Sequence, residues 1–447
     1  MAKTQTKQRA VVVGLGLTGA TCVRHLASQG YDVVGVDTRA QPPKLDELKC
    51  EFPGVELHTG ALDERWLRGA ALLAVSPGIS LKEPAIARAI ADGAEAVGDI
   101  ELFARSAKAP VLAVTGANGK STVTSLVGAI CKSAGRDTRV GGNIGVPALS
   151  LLEKTEPDVY VLELSSFQLE TTSRLNARAA TVLNVTPDHM DRYDSLEEYA
   201  QAKARIFRGD GLMVLNADDA LVRRMSQPGR AGTRFTLEAP PAASDYGLRA
   251  RANEIWLARG DEDILRAADV PLPGRHNLAN VLAALALTDA LDVPRSAQLA
   301  AIRAFRGLPH RTELVGERDG IRWINDSKGT NVGATAAALN GMTAPVVLIA
   351  GGDGKGADFT GLKDVCAAHA RAVVLIGRDA PGIEQALAGV VSTHYAADMK
   401  DAVRAARRFA QPGDIVLLSP ACASFDMYKN YEHRGDVFRA AVQELLA

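Results

Sequence analysis

Residues 111–122 read VLAVTGANGKST, and this stretch decides the fold class. Its first half is a run of β-branched and small apolar residues, which predicts a buried strand from Val111 to Thr115. Its second half is a glycine-rich turn that contains Gly119-Lys120-Ser121, and a helix is expected to follow it. Such a turn binds phosphate through its backbone N–H groups, while its lysine reaches the outer phosphates and its hydroxyl binds Mg²⁺. We therefore predict an ATP-binding loop between a strand and a helix.

The loop departs from the common motif at one position. Five residues before Gly119 stands Val114, where a glycine is usual. A chance Gly-Lys-Ser sequence in an ordinary loop is the alternative interpretation. The strand and the helix expected on either side favour the phosphate site over that alternative.

A second glycine turn comes near the start of the chain, where residues 14–19 read GLGLTG. It follows a predicted strand, and Asp37 ends the next predicted strand about twenty residues on, as in dinucleotide-binding turns. Glycines there let backbone N–H groups approach a diphosphate, and the acid accepts a hydrogen bond from a hydroxyl. From these residues alone, a nicotinamide cofactor, another nucleotide and a purely structural turn all stay open. Residues 76–78, after the third strand, are either a further wall of this site or an ordinary strand-ending turn.

Short β-branched runs alternate with Ala- and Leu-rich segments along the chain, which predicts an α/β protein with mainly parallel sheets. Strands are expected at residues 10–13, 32–36, 72–75, 111–115, 159–164, 179–185, 211–215, 321–324, 346–350, 373–376 and 414–418. Breaks in this pattern place domains at 1–98, 99–307 and 308–447. Residues 230–270 are irregular, and either a small antiparallel sheet or a loop insertion fits them.

Composition excludes several classes of protein. The chain has 447 residues, which at roughly 150 per domain agrees with three domains. Its 51 Lys and Arg against 52 Asp and Glu leave a net charge of −1, so we expect no nucleic-acid binding. Five cysteines without a C-x-x-C pair are typical of a reducing cytoplasm. No apolar run approaches the ~18 residues of a membrane span, and glycines interrupt the N-terminal apolar stretch, so we expect a cytoplasmic protein without membrane insertion. Because no apolar stripe of coiled-coil type appears, we expect a monomer.

Polar residues after other predicted strands are candidates for catalysis and metal binding. Glu163 ends one strand, and hard cations prefer such carboxylate oxygens. His189 follows the next strand, and Lys203 lies on a helix expected over residues 196–207. Taken singly, such a histidine is more often structural and such a lysine more often a solvated helix residue. Cys422 has no histidine near it in sequence, so a packed thiol is expected there rather than a nucleophile.

Together and in this order, these motifs resemble the Mur ligase family, the ATP-dependent amide-forming enzymes of peptidoglycan precursor synthesis. The resemblance rests on GLGLTG with Asp37-Thr38-Arg39, LELSSFQLE at 162–170, NVTPDHMDRY at 184–193, NDSKGTN at 325–331 and SPACASFD at 419–426. Val114 then fits, because the family's loop is of the Thr-Gly-x-Asn-Gly-Lys-Ser/Thr kind. The resemblance implies a Rossmann-like UDP-binding domain, a central P-loop ATPase-type α/β domain and a C-terminal Rossmann-like domain that binds an amino acid.

The resemblance also implies roles for individual residues. The UDP part of a nucleotide-sugar substrate is expected at Leu17, Thr18, Asp37, Thr38, Arg39, Ser76, Gly78 and Asn143. ATP is expected at Gly116, Asn118, Gly119, Lys120, Ser121, Thr122, Asn277, Asn280, Arg311 and Asp326. D-glutamate, which needs cationic and hydroxyl donors, is expected at Lys328, Thr330, Lys355, Ser424, Phe425 and Tyr431. Two Mg²⁺ ions are expected at Ser121, Glu163, His189 and Lys203, and the lysine is expected to carry a CO₂-derived carbamate because an ammonium repels Mg²⁺.

The implied reaction joins D-glutamate to UDP-N-acetylmuramoyl-L-alanine. The γ-phosphoryl group of ATP passes to the free carboxylate, and the amine then attacks the acyl phosphate to give an amide, ADP and phosphate. Lys120, His189 and Lys203 are the expected catalytic residues. Three alternatives remain: a sister ligase with another acceptor, an NAD-dependent oxidoreductase, which leaves the Gly-Lys-Ser loop idle, and a non-catalytic nucleotide-binding regulator, which needs no metal-binding residues.

Overall fold

The computed structural model describes residues 7–153, 155–190 and 192–446, and the chain forms two compact units. The first unit comprises Met1–Val185, Arg192–Phe235 and Ala283–Ala301, and the second comprises Thr186–Asp191, Thr236–Leu282 and Ile302–Ala447. Both contain parallel strands connected by helices. The predicted α/β class is confirmed. Residues 1–6, which precede the N-terminal apolar stretch, lie outside the described part of the chain.

The strands of the first unit form two parallel sheets. They are β1 (Arg9–Val13), β2 (Asp32–Asp37), β3 (Glu56–Thr59), β4 (Leu72–Val75), β5 (Glu95–Val97), β6 (Val111–Thr115), β7 (Thr138–Gly142), β8 (Val159–Glu163), β9 (Ala179–Val182), β10 (Leu212–Asn216) and β11 (Gly232–Phe235). One sheet has the order β3-β2-β1-β4-β5, and the other runs β11-β10-β9-β6-β8-β7. In each sheet a strand that precedes a glycine turn, β1 or β6, lies where the strand order reverses, which is where such sheets bind ligands.

The second unit contains an antiparallel segment and a mainly parallel sheet. Its strands are β12 (Tyr246–Arg251), β13 (Glu254–Arg259), β14 (Glu262–Arg266), β15 (Glu313–Arg318), β16 (Ile321–Asn325), β17 (Val346–Gly351), β18 (Ala370–Ile376), β19 (Thr393–Tyr395) and β20 (Ile415–Leu418). β12, β13 and β14 pair antiparallel, so the irregular region contains a small antiparallel sheet rather than a loop insertion. The other sheet has the order β15-β16-β20-β17-β18-β19.

Helices connect most of the strands. They are α1 (Leu17–Ser28), α2 (Leu45–Glu51), α3 (Glu64–Leu67), α4 (Pro84–Ala91), α5 (Asp99–Ser106), α6 (Lys120–Ser133), α7 (Ser166–Glu170), α8 (Leu196–Ala204), α9 (Ala220–Arg223), α10 (Arg275–Asp289), α11 (Arg295–Ala304), α12 (Val332–Asn340), α13 (Lys363–His369), α14 (Ala380–Leu387), α15 (Met399–Phe409) and α16 (Tyr431–Leu446). The helix predicted over 196–207 ends as α at Ala204 and continues as a 3₁₀ turn, Arg205–Phe207. Within the described residues, no helix is both long and apolar enough to cross a membrane.

The central strands are buried on both faces. Every residue of β6 is buried, and so are Val11, Val12 and Val13 of β1. Strands buried on both faces read as continuous apolar runs instead of alternating ones, because helices cover both sides of a parallel sheet. This burial makes β1 and β6 rigid supports for the turns that follow them.

Candidate active site

A cavity of about 530 Å³ lies at the carboxyl ends of β1, β2 and β4 in the first unit. All eight residues expected to bind the UDP part of a substrate line it: Leu17, Thr18, Asp37, Thr38, Arg39, Ser76, Gly78 and Asn143. Its other lining residues are Gly14, Gly16, Pro77, Ile79, Gly142, Gly145, Pro147 and Gln168. Residues from three βα turns and from the second sheet of this unit therefore meet at one cavity.

The first glycine turn needs glycine for steric reasons. A Cβ at Gly19 would stand 1.7 Å from the carbonyl oxygen of Gly14. Gly14 has φ +95°, and a Cβ there would stand 2.7 Å from Ser76 Oγ. The Ser76 hydroxyl donates to the Gly14 carbonyl at 3.1 Å, so the turn after β4 is attached to the glycine turn. A larger side chain at either glycine would push these walls apart.

Asp37 is a buried carboxylate at one wall of the cavity. It accepts hydrogen bonds from the Leu15 amide at 2.6 Å, from the Arg39 amide at 2.8 Å, and from the Arg39 guanidinium at 2.9 and 2.6 Å. Burial alone would raise the pKa of Asp37, but the bonds from Arg39 and Leu15 outweigh it and lower that pKa. The carboxylate therefore stays ionised and fixes the Arg39 side chain at the cavity.

The second glycine turn joins β6 to α6. Gly119 is the N-cap of α6 with φ +83°, and Gly116 has φ +154° with Leu183 3.0 Å from the place of a Cβ. The Lys120 ammonium folds back over the turn and donates to the carbonyls of Gly116 and Ala117, each at 2.9 Å. The first turn of α6 also carries Ser121 and Thr122, both buried. A helix N-terminus beside a lysine is suited to bind phosphate. Asn118 is held by Asn184, whose Oδ1 accepts from the Asn118 amide at 2.8 Å.

Glu163 is the last residue of β8, which pairs with β6, and the residue is 3% exposed. Its Oε1 accepts a hydrogen bond from Asn143 Nδ2 at 2.7 Å, which connects it to the cavity. Its Oε2 is buried and has no hydrogen-bond partner among the residues that the structure describes. A buried carboxylate oxygen without a donor is costly unless a cation binds it. The arrangement therefore fits a divalent cation, although the described residues contain no group of three or more His, Cys, Asp or Glu side chains arranged to hold a metal ion.

Lys203, on α8, is 1% exposed. Its ammonium donates to the Gly116 carbonyl at 3.0 Å and lies 4.2 Å from the centroid of the Tyr199 ring. Lys120 donates to the same carbonyl oxygen. Two ammonium groups at one oxygen repel each other in a partly desolvated place. The structure thus brings Lys203 to the phosphate-binding turn, a position that its sequence context alone did not indicate.

The remaining expected ATP and metal residues belong to the second unit. His189 has φ +56°, and its amide donates to Asp188 Oδ1 at 3.0 Å, while Asn331 Nδ2 donates to Asp188 Oδ2 at 3.2 Å. Asn277 and Asn280 lie in the first turns of α10 and are joined by a bond from Asn280 Nδ2 to Asn277 Oδ1 at 3.0 Å.

Asp326 is buried in the loop after β16 of the second unit. Ser419 Oγ donates to Asp326 Oδ2 at 2.8 Å, and the Thr312 amide donates to Oδ1 at 3.1 Å. Burial raises the pKa of Asp326 to about 6, although the Ser419 bond, the Thr312 amide and the charge of Arg311 oppose the rise. The carboxyl is therefore poised between its charged and neutral forms near pH 6.

The residues expected to bind D-glutamate follow three neighbouring strands, β16, β20 and β17. Lys328 Nζ lies 4.0 Å from the centroid of the Tyr431 ring, and the Thr330 amide donates to the Lys328 carbonyl at 2.8 Å. Lys355 has φ +52° in the loop after β17. Ser424 is buried, whereas Phe425 is 71% exposed. Because adjacent parallel strands end at one edge of a sheet, these loops share that edge.

Arg434 was not anticipated from the sequence. It is fully buried on α16, and it donates to Ser327 Oγ and to the carbonyls of Ser327, Cys422 and Ala423 at 2.8 to 3.2 Å. It therefore ties the loop after β16 to the loop after β20. Burial lowers the pKa of Arg434 to about 10 and raises that of the Cys422 thiol to about 12, so the thiol stays protonated and packed.

Three family models match the chain in order. The Mur ligase MurD-like N-terminal domain matches residues 8–98, the Mur ligase middle domain residues 114–288, and the Mur ligase glutamate ligase domain residues 310–422. The chain belongs to the Mur ligase family. Among its Mur ligase relatives, UDP-N-acetylmuramoylalanine--D-glutamate ligase of Nitrosococcus oceani is 55% identical over 99% of this chain and 98% of that protein. The Pseudomonas aeruginosa protein of the same name is 50% identical over 97% of this chain and 98% of its own length.

Solved structures of other Mur ligases share the fold. A pseudomurein peptide ligase type C from Methanothermus fervidus aligns with a TM-score of 0.61 at 18% identity, covering 98% of this chain and 100% of that one. UDP-N-acetylmuramate-alanine ligase MurC from Thermotoga maritima aligns with a TM-score of 0.58 at 21% identity, covering 98% and 99%. At these identities the likeness extends to the fold alone.

Proposed function

We propose that this Mur ligase joins D-glutamate to UDP-N-acetylmuramoyl-L-alanine with conversion of ATP to ADP and phosphate, a step of peptidoglycan precursor synthesis. The observation that carries the proposal is the 55% identity, over 99% of the chain, to a ligase named for these substrates. An NAD-dependent oxidoreductase would explain the first glycine turn but not the Gly119-Lys120-Ser121 loop or the buried Glu163. A non-catalytic regulator would have no use for a carboxylate oxygen without a donor.

The cavity of the first unit is proposed to hold the UDP part of the nucleotide sugar. Its glycine turn offers backbone N–H groups to a diphosphate, and Asp37 keeps Arg39 in place beside it. The cavity volume of about 530 Å³ is in the range usual for sites that bind small molecules and cofactors. The predicted functional segments, 1–98 for the UDP substrate, 99–307 for ATP and 308–447 for the amino acid, are kept in this proposal, as is a cytoplasmic monomer.

ATP is proposed to bind at the β6–α6 turn, with Lys120 turning from the loop carbonyls toward the phosphates. Glu163 and Ser121 would hold one Mg²⁺, since a carboxylate oxygen without a donor and a hydroxyl at a helix N-terminus suit a hard cation. His189 is kept as a candidate for a second ion. Bound Mg²⁺ neutralises phosphate charge during phosphoryl transfer.

Lys203 is proposed to be carbamylated. Its amine is buried beside Lys120, and both bond to one carbonyl oxygen, so loss of the positive charge on Lys203 relieves their repulsion. Addition of CO₂ to the neutral amine forms an N–C bond, releases one proton and leaves an anionic oxygen next to the phosphate site. This oxygen would orient the outer phosphate or a cation there.

In the second unit, the loops after β16, β17 and β20 are proposed to hold D-glutamate. Lys328, Lys355 and the Ser424 hydroxyl offer the cations and donor that a dicarboxylate needs. Arg311, Asp326, Asn277 and Asn280 are proposed to contact ATP. The substrate carboxylate attacks the γ-phosphorus and displaces ADP. The D-glutamate amine then attacks the acyl carbon and loses a proton, and the tetrahedral intermediate expels phosphate.

The testing experiment measures phosphate release from ATP with UDP-N-acetylmuramoyl-L-alanine, Mg²⁺ and bicarbonate. D-glutamate, L-glutamate, L-alanine and diaminopimelate are compared as acceptors. We expect phosphate release with D-glutamate and with none of the other three acceptors. Release with another acceptor would instead indicate a sister ligase, and no release with any acceptor would contradict the ligase assignment.

A second experiment tests the carbamate. We expect Lys203→Ala to lose more than about 99% of activity, as removal of a charge-stabilising group does, and to regain part of it with a short-chain carboxylic acid. Lys132→Ala, on the exposed side of α6, is the matched control and should keep wild-type activity. Full activity in Lys203→Ala would exclude the carbamate role.

A further inference from the structure

Four consecutive residues of the UDP cavity wall, Ser76 to Ile79, form a turn between β4 and α4. The first of them is attached to the glycine turn, because the Ser76 amide donates to the Val13 carbonyl at 2.9 Å and its hydroxyl to the Gly14 carbonyl. The carbonyl oxygens of Pro77 and Ile79 accept hydrogen bonds from Arg192, which lies more than 110 residues away in sequence.

Arg192 joins this turn to α7. Its Nη1 donates to the Pro77 carbonyl at 3.3 Å and its Nη2 to the Ile79 carbonyl at 3.2 Å, and Nη2 also pairs with Glu170 Oε2 at 2.8 Å. Its guanidinium lies 4.5 Å from the centroid of the Phe167 ring. Phe167 and Glu170 both belong to α7, the helix that carries the lining residue Gln168.

A third group orients the carboxylate that Arg192 binds. The Tyr193 hydroxyl donates to Glu170 Oε1 at 2.6 Å, so the two Glu170 oxygens have different partners. Burial and the neighbouring Glu170 raise the pKa of Tyr193, which keeps the phenol a donor. The Tyr193 and Phe167 rings stack with centroids 6.0 Å apart. Glu170 and Phe167 therefore fix the Arg192 guanidinium, which in turn binds the carbonyls of the turn 76–79.

We propose that Arg192 is a positioning residue for the nucleotide-sugar substrate, fixing the turn 76–79 against α7 so that two walls of the cavity keep their spacing. The proposal rests on the proposed function for the identity of the ligand. Arg192 stands outside the set of described residues that line the cavity, so it acts through the turn. The planar guanidinium has several N–H groups, so it can bind two carbonyls and a carboxylate while it stacks on a ring. A lysine ammonium cannot reproduce this set of contacts.

The contacts are also partly withdrawn from water, which makes them stronger than a surface ion pair. The Arg192 side chain is 15% exposed and that of Glu170 is 21% exposed. At such exposure, hydrogen bonds to charged groups are stronger than in bulk water. Pro77 has no backbone N–H group to donate, so the backbone of this residue can be anchored only through its carbonyl oxygen.

The test compares steady-state constants of Arg192→Lys and wild type. We expect the KM for UDP-N-acetylmuramoyl-L-alanine to rise about tenfold, while kcat and the KM values for ATP and D-glutamate stay within about twofold. Arg230→Lys is the matched control, because Arg230 also bonds backbone carbonyls of the first unit, the Gly211 oxygen at 3.0 and 2.9 Å, without a contact to the turn. The control is expected to leave the KM for the nucleotide sugar unchanged.

A second variant separates positioning from folding. Glu170→Gln should also raise the KM for UDP-N-acetylmuramoyl-L-alanine. The double variant should raise it by less than the product of the single effects, because both changes weaken one clamp, the contacts of Arg192 with Glu170 and with the turn 76–79. An unchanged KM in Arg192→Lys, or an equal rise for all three substrates, would overturn the proposal.

If the wild-type protein releases no phosphate with this substrate, the proposed function fails and titration calorimetry with UDP tests the clamp by itself. Weaker UDP binding by Arg192→Lys than by wild type and Arg230→Lys supports the clamp. Equal binding by all three proteins would refute it.

Discussion

Glu163 combines two environments in one carboxylate, with Oε1 bonded to Asn143 and Oε2 buried without a donor. Glu163→Gln keeps an oxygen for Asn143 but removes the negative charge. We expect phosphate release to fall on the order of 100-fold and the Mg²⁺ concentration for half-maximal activity to rise, as loss of a charge-stabilising ligand does. An Mg²⁺ titration of activity measures both effects. Glu156→Gln is the control, because Glu156 accepts from two surface amides away from the phosphate turn; equal behaviour of the two variants would argue against a cation at Glu163.

Asp99 offers a prediction about stability and pH. Its carboxyl is fully buried, its Oδ2 accepts from Gln168 Nε2 at 3.0 Å, and burial raises its pKa to about 6 despite that bond. An unfolded aspartate titrates near 3.9, so between about pH 4 and 6 the folded chain holds a proton that the unfolded chain has lost. Asp99 therefore contributes stability at low pH that is lost as the pH rises toward 6.

Asp99→Asn removes this titration. Relative to wild type, the variant should gain free energy of unfolding between pH 4.5 and pH 7.5, by about 2 kcal/mol. Urea unfolding at both pH values measures the difference, and Asp32→Asn, at an exposed strand start, supplies the control. A pH-independent difference between Asp99→Asn and wild type would show that Asp99 is already ionised throughout this range.

At the scale of elements, the strand–turn–helix units position the chemistry. The β1–α1 turn depends on Gly19, because a Cβ there meets the Gly14 carbonyl at 1.7 Å. We expect Gly19→Ala to lower the unfolding midpoint, at a cost of about 1 to 3 kcal/mol or more, and to weaken binding of the nucleotide sugar. Thermal unfolding and calorimetric titration test this. Gly54→Ala, with nothing within 4 Å of its Cβ, should change neither quantity; a tolerated Gly19→Ala would show that the turn can relax.

The strength of the sequence signal for each strand follows its burial. The predicted bounds of β4 and β6 match the structure, since both are continuous apolar runs in sheet interiors. The strands missed at the sequence level include β3, β5, β7 and β19, each at the edge of its sheet. Edge strands are short and half-exposed; β7, for example, reads TRVGG, which carries no β-branched run.

Site residues followed a similar rule. Asp37 and Ser76 were singled out because they directly follow predicted strands, and parallel strands bring their carboxyl ends together. The role of the eight cavity residues in binding UDP came from the family resemblance and stays a prediction. Arg192 and Arg434 were not singled out, since each binds carbonyls distant in sequence and an isolated arginine gives no local signal. The burial of Lys203 beside the phosphate turn likewise depends on helix packing that no spacing reports.

At the scale of the whole molecule, the proposed substrate residues are distributed along the chain. The cavity proposed to bind UDP belongs to the first unit, and the residues proposed for D-glutamate belong to the second. A reaction through an acyl phosphate must protect that intermediate from water until the amine attacks. Under the proposed function, productive turnover would depend on residues of both units, whereas a chain that simply hydrolysed ATP would not need this distribution.

This reasoning predicts coupling between the substrates. Phosphate release without D-glutamate should fall at least about tenfold, and with all three substrates phosphate and amide should form in equal amounts, because water is excluded from the activated carboxylate. Phosphate assay combined with chromatography of the nucleotide-sugar product measures the ratio, and omission of UDP-N-acetylmuramoyl-L-alanine gives the background. Phosphate in excess over amide, or release independent of D-glutamate, would mean that the acyl phosphate reacts with water. The proposed D-glutamate residues would then not control its fate.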